Sequence, residues 1–299
     1  MAEAPTDIAR AMRLAHAMFG KQPRVTGIDY GYAHRGGQRT QELCLRIHVD
    51  EKRSRALCKP LELVPPEIGG IKTDVIERRY HHTAGQASNP GGVVQPGRGV
   101  GNPKARAGTV GLIVFDAGAP AVLSCFHVLA GPAGAVGDVI LLPAVEAGGS
   151  IPQNVVGKLQ RFFPPGLWGD AAIALLDPGC AFDAQVLLSG ARIASVGQAS
   201  AGILVEKVGS TTGKTRGLIE GTGEYRVQPT NFMMSGMQIG RVDTTTDLSL
   251  PGDSGAAWYD PNSSVGLGLH VASGVDATGH AFALACNLDT VLETLGVTL

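Results

Sequence analysis

The stretch whose reading decides the fold is "TDLSLPGDSGAAWYD", residues 246–260. Within it, Gly252-Asp253-Ser254-Gly255 puts a serine on a glycine-flanked turn just ahead of an apolar run that reads as a strand. Two readings are open: a nucleophile on a tight turn, or one more glycine-rich loop in a chain with 42 glycines among 299 residues. Composition does not separate them. A serine hydroxyl is a weak nucleophile near neutral pH and needs a base, which in turn needs an orienting partner. The rest of the chain must supply both.

Outward from this turn, short apolar runs alternate with Gly/Pro turns from Gly108 onward: "TVGLIVFD", "AVLSCFHV", "DVILLP", "AAIALLD", "ILVEKVG", "GLIEGTGEYRV", "GAAWYD", "VGLGLHVAS" and "HAFALAC". No long helical pattern interrupts them until "LDTVLETLG" at the C-terminus. Closely spaced strands with few helices predict a mainly β barrel or sandwich for residues 108–299. Residues 1–80 read differently. Ile8, Met12, Leu14, Ala15 and Met18, with Asp7 as a cap, predict one amphipathic helix. "RVTGIDYGY" and "ELCLRIHVD" flank a Gly-Gly turn and predict a hairpin, so residues 1–80 form a small α/β domain. Between the two, residues 81–107 are dense in Gly, Pro and small polar residues, the composition of a linker or an extended surface segment.

Composition excludes several classes. Net charge is −1, and residues 1–80 carry 14 Lys+Arg against 10 Asp+Glu while residues 81–299 carry 11 against 16. So mild an asymmetry argues against nucleic acid as a partner. The N-terminus has Asp7 where a signal peptide has positive charge, and Arg10, Arg13 and His16 break its apolar run. No window approaches 18 uninterrupted apolar residues, so no membrane span is expected and the expected location is cytoplasmic. Five scattered cysteines (Cys44, Cys58, Cys125, Cys180, Cys286) then read as reduced thiols. Neither metal nor cofactor is expected: His81-His82 reads as an exposed linker pair, and Cys125-x-His127 alone is poor metal evidence. Gly213-Lys214-Thr215 resembles a phosphate loop, but its first glycine is displaced and a strand-like run follows it, which leaves phosphate no helix N-terminus.

Among eight histidines, His127 in "PAVLSCFHVLAG" stands at the end of an apolar strand before a small-residue turn, well placed to face a cleft. The bland alternative is a semi-buried histidine ending a strand. Asp170 in "LWGDAAIALL" is an acid entering a nearly uncharged run; buried there it needs hydrogen-bond partners, and an imidazole N–H is one. A turn or capping role is its alternative, and Asp138 in "GDVILL" is the weaker rival.

The order His127, Asp170, Ser254 is that of chymotrypsin, and here the sequence resembles the trypsin/chymotrypsin-like serine peptidases. "GDAAIALL" is similar to that family's aspartate segment, "PGDSGAAW" to its nucleophile turn and "VGLGLHVASG" to its cleft strand. The likeness is nearest to bacterial, cytoplasmic-type members with an N-terminal α/β domain. It implies a chymotrypsin-like double β-barrel and a serine endopeptidase. Ser254 would be the nucleophile, His127 the base and Asp170 its orienter, with the N–H groups of Gly252 and Ser254 as oxyanion hole. Three departures accompany it. Cys125 lacks an evident disulfide partner. Val271 stands where the family offers the aspartate a hydroxyl. No cleavage-activated N-terminus is found, leaving constitutive competence or gating by residues 1–80.

The resemblance also places Ser249 and His270, beside Val271, on the wall of the primary pocket. That pairing, seen in glutamate-specific members, implies an acidic P1 preference; a satisfied strand histidine beside a pocket for small or apolar residues is the alternative. The implied partner is a polypeptide substrate, with a second copy or a regulatory partner engaged through residues 1–80. A catalytically silent interaction module of the same fold and an esterase with the same triad are the rival functions.

Overall fold

A helix, α1 (Pro5–Phe19), opens the chain in the computed structural model, which describes residues 5–36, 38–82, 92–228, 231–242, 247–276 and 280–299. Its buried stripe is Ala11, Ala15 and Phe19, packed on Ile28, Leu45, Ile47, Ile68 and Ile71. Leu14 and Met18, expected on that stripe, are exposed. Two alanines let the helix axis approach the sheet closely, which larger side chains would prevent. The sheet beneath it comprises the hairpin of β1 (Val25–Arg35) and β2 (Gln38–Val49), followed by β3 (Glu67–Ile68) and β4 (Ile71–Glu77), with β4 parallel to β2. Arg35 pairs with Gln38 and Gly36 takes φ +60°, as the Gly-Gly turn requires; Gly37 lies outside the described residues.

The chain then enters β5 (Tyr80–His82). His81-His82, expected as an exposed linker pair, is strand backbone instead. Part of the predicted linker, residues 83–91, lies outside the described residues. Its remainder is packed: Val94 exchanges backbone hydrogen bonds with Ala181 and Asp183, and Val94 and Val100 are fully buried. β6 (Gly99–Val100) and β7 (Gly108–Thr109) form a ribbon beside the first barrel. That barrel is built from β8 (Leu112–Asp116), β9 (Ala119–Ser124), β10 (Val139–Leu141), β11 (Val155–Gly166) and β12 (Gly169–Leu176), in spatial order β10-β11-β12-β9-β8. A one-turn helix, α2 (Phe126–Leu129), follows β9.

After the short β13 (Ser195–Val196), the second barrel takes β14 (Leu204–Gly209), β15 (Gly213–Gln228), β16 (Phe232–Arg241), β17 (Ala257–Tyr259), β18 (Val265–Val275) and β19 (Ala281–Asn287). Their order is β14-β17-β18-β19-β16-β15, and pairing of β14 with β15 closes the ring. Gly213-Lys214-Thr215 starts β15, so the phosphate-loop lookalike is a hairpin end. The last helix, α3 (Leu288–Leu295), buries Leu288, Val291, Leu292 and Leu295, and Thr298 bridges back to Phe115 of the first barrel. One apolar core runs through both barrels. The five cysteines are all free thiols.

The N-terminal unit does not stand apart from the second barrel. β1 pairs antiparallel with β15, Gly27 opposite Tyr225 and Gly31 opposite Gly221, so one sheet runs from β3 to the barrel. At the seam a fully buried Asp29 accepts from Arg46 Nε at 2.6 Å, Tyr225 Oη at 2.7 Å and the Arg46 Nη2, which also reaches Gln238 at 3.0 Å. Burial alone would raise the Asp29 pKa, but the adjoining Arg46 charge and His48 hold it well below the usual carboxylate range. Replacing Arg46 with leucine leaves that carboxylate uncompensated. The expected loss is about 3–5 kcal/mol in urea unfolding, most of it recovered in the double variant Asp29→Leu/Arg46→Leu.

Candidate active site

His127 does not end the strand; it sits in α2. β9 stops at Ser124, and the carbonyl of Cys125 then accepts from the amides of Val128 and Leu129, winding a single helical turn. The turn aims the imidazole at Asp170, the second residue of β12, which is completely buried. Asp170 Oδ2 lies 2.5 Å from His127 Nδ1, and Oδ1 accepts the His127 backbone amide at 3.1 Å. With both carboxylate oxygens on one residue, Nδ1 carries the proton and Nε2 is left as the basic nitrogen. Gly169 precedes the aspartate with φ +122°, and a Cβ there would strike Cys286 Sγ at 2.8 Å, so glycine is required for β12 to start this close to β19. The rival acid, Asp138, accepts from Ala135 N, Lys104 Nζ and Asn102 Nδ2.

Ser254 is buried in the turn between Leu250 and Ala256, pressed against the first barrel. Thr109 N donates to Ser254 O at 2.8 Å, and the hydroxyls of Thr109 and Ser210 each lie 2.8 Å from Gly252 O. Gly255 has φ +92°, and a Cβ on it would meet Ser124 Oγ at 2.1 Å. The turn therefore sits on the strand end that leads into α2 and His127. Two of its peptides have fixed directions. Pro251 O accepts from Thr211 Oγ1 at 2.7 Å and Asp253 O from Ala256 N at 3.0 Å. In trans peptides the N–H points opposite the C=O, so the amides of Gly252 and Ser254 are both turned away from these partners.

Between those two residues, Asp253 is fully buried and holds five donors: the amides of Leu250, Thr211 and Thr212, the Thr212 hydroxyl, and Lys207 Nζ at 2.8 Å. Lys207 is itself fully buried, on β14, with its ammonium 5.4 Å from the Trp258 ring centroid. Burial pulls its pKa down against the Asp253 charge; burial pushes Asp253 up, but Lys207 together with the Thr212 hydroxyl and His270 holds it below the ordinary range. The sequence reading missed Lys207 and the trio Ser210-Thr211-Thr212. The one available signal was the charged pair Glu206-Lys207 set inside the otherwise apolar run "GILVEKVG".

The residues expected on the pocket wall also come together. Ser249 Oγ is 2.7 Å from His270 Nε2, and Trp258 Nε1 donates to His270 Nδ1 at 3.3 Å. An indole nitrogen only donates, so Nδ1 accepts and Nε2 carries the hydrogen that goes to Ser249. Burial, with Lys207 nearby, lowers the His270 pKa to about 3. Val271, next in β18, is buried and offers no hydroxyl. Cys125, His127 and Asp170 bring ligand-type atoms within 4.8 Å of one another, with His127 Nδ1 and Asp170 Oδ2 bonded to each other. The Cys125 thiol points to His270 O at 3.2 Å, and burial raises its pKa well above the ordinary thiol value.

Two variants follow. Lys207→Met strands the Asp253 charge; unfolding is expected to ease by about 3–5 kcal/mol, measurable in urea, with the Ser254 turn loosened. His270 ties stability to pH. Its folded pKa lies below the unfolded value of about 6.5, so the unfolded chain takes up the proton first as pH falls. The contribution is present above pH 6.5 and drains at up to about 1.4 kcal/mol per pH unit toward pH 3. Urea midpoints at pH 7 and 5 should differ by more in the wild type than in His270→Gln.

No protein-family model and no curated protein matches the chain, whereas solved structures do. A protein described as "a glutamic acid specific serine protease" that "utilizes a novel histidine triad in substrate binding" superposes with TM-score 0.54 at 23% identity, over 69% of this chain and all of its own. Thermobifida fusca Protease A matches with TM-score 0.53 at 16% identity, over 70% of this chain and 98% of its own. Nocardiopsis Protease matches with TM-score 0.51 at 21% identity, over 70% and 99%. The fold that carries this site is the chymotrypsin-like double β-barrel of the serine proteases, here with a helix and further strands ahead of it.

Proposed function

We propose that the chain is a serine endopeptidase, a reading carried above all by the buried Asp170 carboxylate on both the Nδ1 and the backbone amide of His127. Ser254 Oγ attacks the scissile carbonyl and His127 Nε2 takes its proton. Asp170 holds the imidazole in the required tautomer and stabilises its charged form. The tetrahedral oxyanion is received by the amides of Gly252 and Ser254, whose peptide directions are set before substrate arrives. Preset donors of this kind are each worth about 10²–10³ in rate, because nothing need reorganise during the reaction. His127 then returns the proton to the leaving amine, and water attacks the acyl-enzyme by the same route. The polypeptide is the partner this chemistry needs; neither nucleic acid nor membrane has a role in it.

Within this reading, the primary pocket takes an acidic P1 side chain. Ser249 already receives the His270 hydrogen, so its own O–H is available to a carboxylate. The glutamic-acid-specific relative is described as using a histidine triad; here Trp258, not a histidine, stands on the far nitrogen of His270. The donor pair is thus uncharged. Three peptide substrates differing only at P1 test the preference, with turnover expected for Glu well above Leu and Lys, and unchanged in ratio from pH 6 to 8. Ser249→Ala should cost the Glu substrate about 10–100-fold in kcat/KM, the loss of one hydrogen bond to a charged group. Equal cleavage of all three removes the acidic pocket and leaves the peptidase.

The peptidase itself is tested by a fluorophosphonate probe. Ser254 should be labelled in the wild type and unlabelled in Ser254→Ala, with peptide turnover down at least about 10³-fold in the variant. A wild type that is never labelled is a silent module of the same fold; labelling with ester turnover but no peptide turnover is an esterase.

A further inference from the structure

The strand edge that leads to Ser254 is already filled by the chain itself. β18 has two edges. β19 takes one, with Ala272 opposite Leu284 and Ser273 opposite Ala283. The other is divided among three segments. β17 holds Leu269 through Ala257. The nucleophile turn holds His270, with Gly255 N donating to His270 O and His270 N to Ala256 O, each at 2.8 Å. Immediately beyond, β5 pairs antiparallel with His82 opposite Ala272 and His81 opposite Ser273. β5 therefore runs along β18 toward the nucleophile turn, and His82 faces a position only two residues from His270.

This segment is not lightly held. Its other edge pairs in parallel with β15, Tyr80 opposite Val227 and His81 opposite Gln228. Tyr80 is fully buried, its hydroxyl 2.6 Å from His48 Nδ1 on β2 and its ring edge-on to Tyr225 and Phe282 at 5.4 and 5.2 Å. Tyr80 thus pins β5 to both the N-terminal sheet and the barrel. An extended peptide binds a protease cleft by adding a strand to an open edge, with main-chain hydrogen bonds supplying affinity. The backbone of Ala272 and Ser273 can serve β5 or an incoming peptide, not both.

Granting the peptidase reading above, we infer that β5 is a tethered occupant of the substrate edge at Ala272–Ser273, and that a polypeptide substrate binds on the acyl side of the scissile bond by displacing it. A tether of this length keeps the occupant at an effective concentration on the order of millimolar, which an untethered substrate must overcome. The partner is an extended polypeptide of at least three residues before the cleaved bond. A single-residue ester is too short to reach Ala272 and competes with nothing.

Hydrogen exchange on the full-length wild type tests this without any variant. A tetrapeptide aldehyde bound at Ser254 should remove protection from the His81 and His82 amides, while phenylmethylsulfonyl fluoride, which modifies the serine without spanning the edge, should leave them protected. Unchanged exchange with the aldehyde seated overturns the inference and leaves the peptidase intact. Absence of any adduct on Ser254, read by mass, overturns the peptidase reading and this inference with it. Tyr80→Ala supplies a second readout. KM for a tetrapeptide substrate should fall about tenfold or more, with KM for a single-residue ester unmoved. Equal changes for both substrates overturn the displacement.

Discussion

The site depends first on one buried carboxylate. Asp253 lies inside the Ser254 turn with five donors around it, among them the ammonium of Lys207 on β14, the strand paired with β17 just beyond the turn. A charge taken out of water is costly unless paired and fully hydrogen-bonded, so the backbone from Leu250 to Ser254 has little freedom to rearrange without exposing or orphaning it. The peptide directions of Gly252 and Ser254 are a by-product of satisfying Asp253 and its neighbours Pro251 and Gly252. Because Lys207 comes from β14 and not from a newly made chain end, the turn is set when the barrel closes. On the proposed reading of Ser254 as nucleophile, control then bears on access to it, not on its assembly.

β18 is the second organising element. Its backbone at His270 holds the nucleophile turn, the His270 side chain meets Ser249 and Trp258, and its edge at Ala272–Ser273 carries β5. One strand thus links the proposed catalytic turn, the proposed pocket wall and the N-terminal unit.

Much of this was legible in the sequence, and the exceptions have physical causes. The His127, Asp170 and Ser254 segments stand out because each is a polar residue in an apolar or glycine-rich setting. The runs that became β11 and β16 went unread: Pro164-Pro165 punctuates the first, and the Met, Gly and Gln content of "FMMSGMQIG" carries little strand preference. His127 was expected to end a strand, since nothing local announces a one-turn helix. Lys207 went unread because its worth lies in a partner 46 residues away. The trio Ser210-Thr211-Thr212 was hidden for another reason. It sat inside a phosphate-loop lookalike, and rejecting that motif gave no cue that the same hydroxyls clamp the Ser254 turn. The closeness of residues 1–80 to the barrel was likewise unread, because β1 meets β15 by backbone pairing and the side chains that mark the seam, Asp29 and Tyr225, lie 196 positions apart.

That seam has a consequence for how the molecule is made. Asp29 meets Tyr225 across 196 positions of chain. During synthesis the N-terminal sheet emerges first, with the outer edge of β1 and the Asp29–Arg46 pair lacking the strand that will cover them. At about 5–20 residues per second, that edge waits roughly 10–40 seconds for β15 to appear. An uncovered strand edge is a template for the wrong neighbour. Gly27 and Gly31, which admit β15 so closely, give such a neighbour little side-chain surface to grip, and the buried charge pair penalises any strand that fails to bring the hydroxyl of Tyr225 and the amide of Gln238 with it.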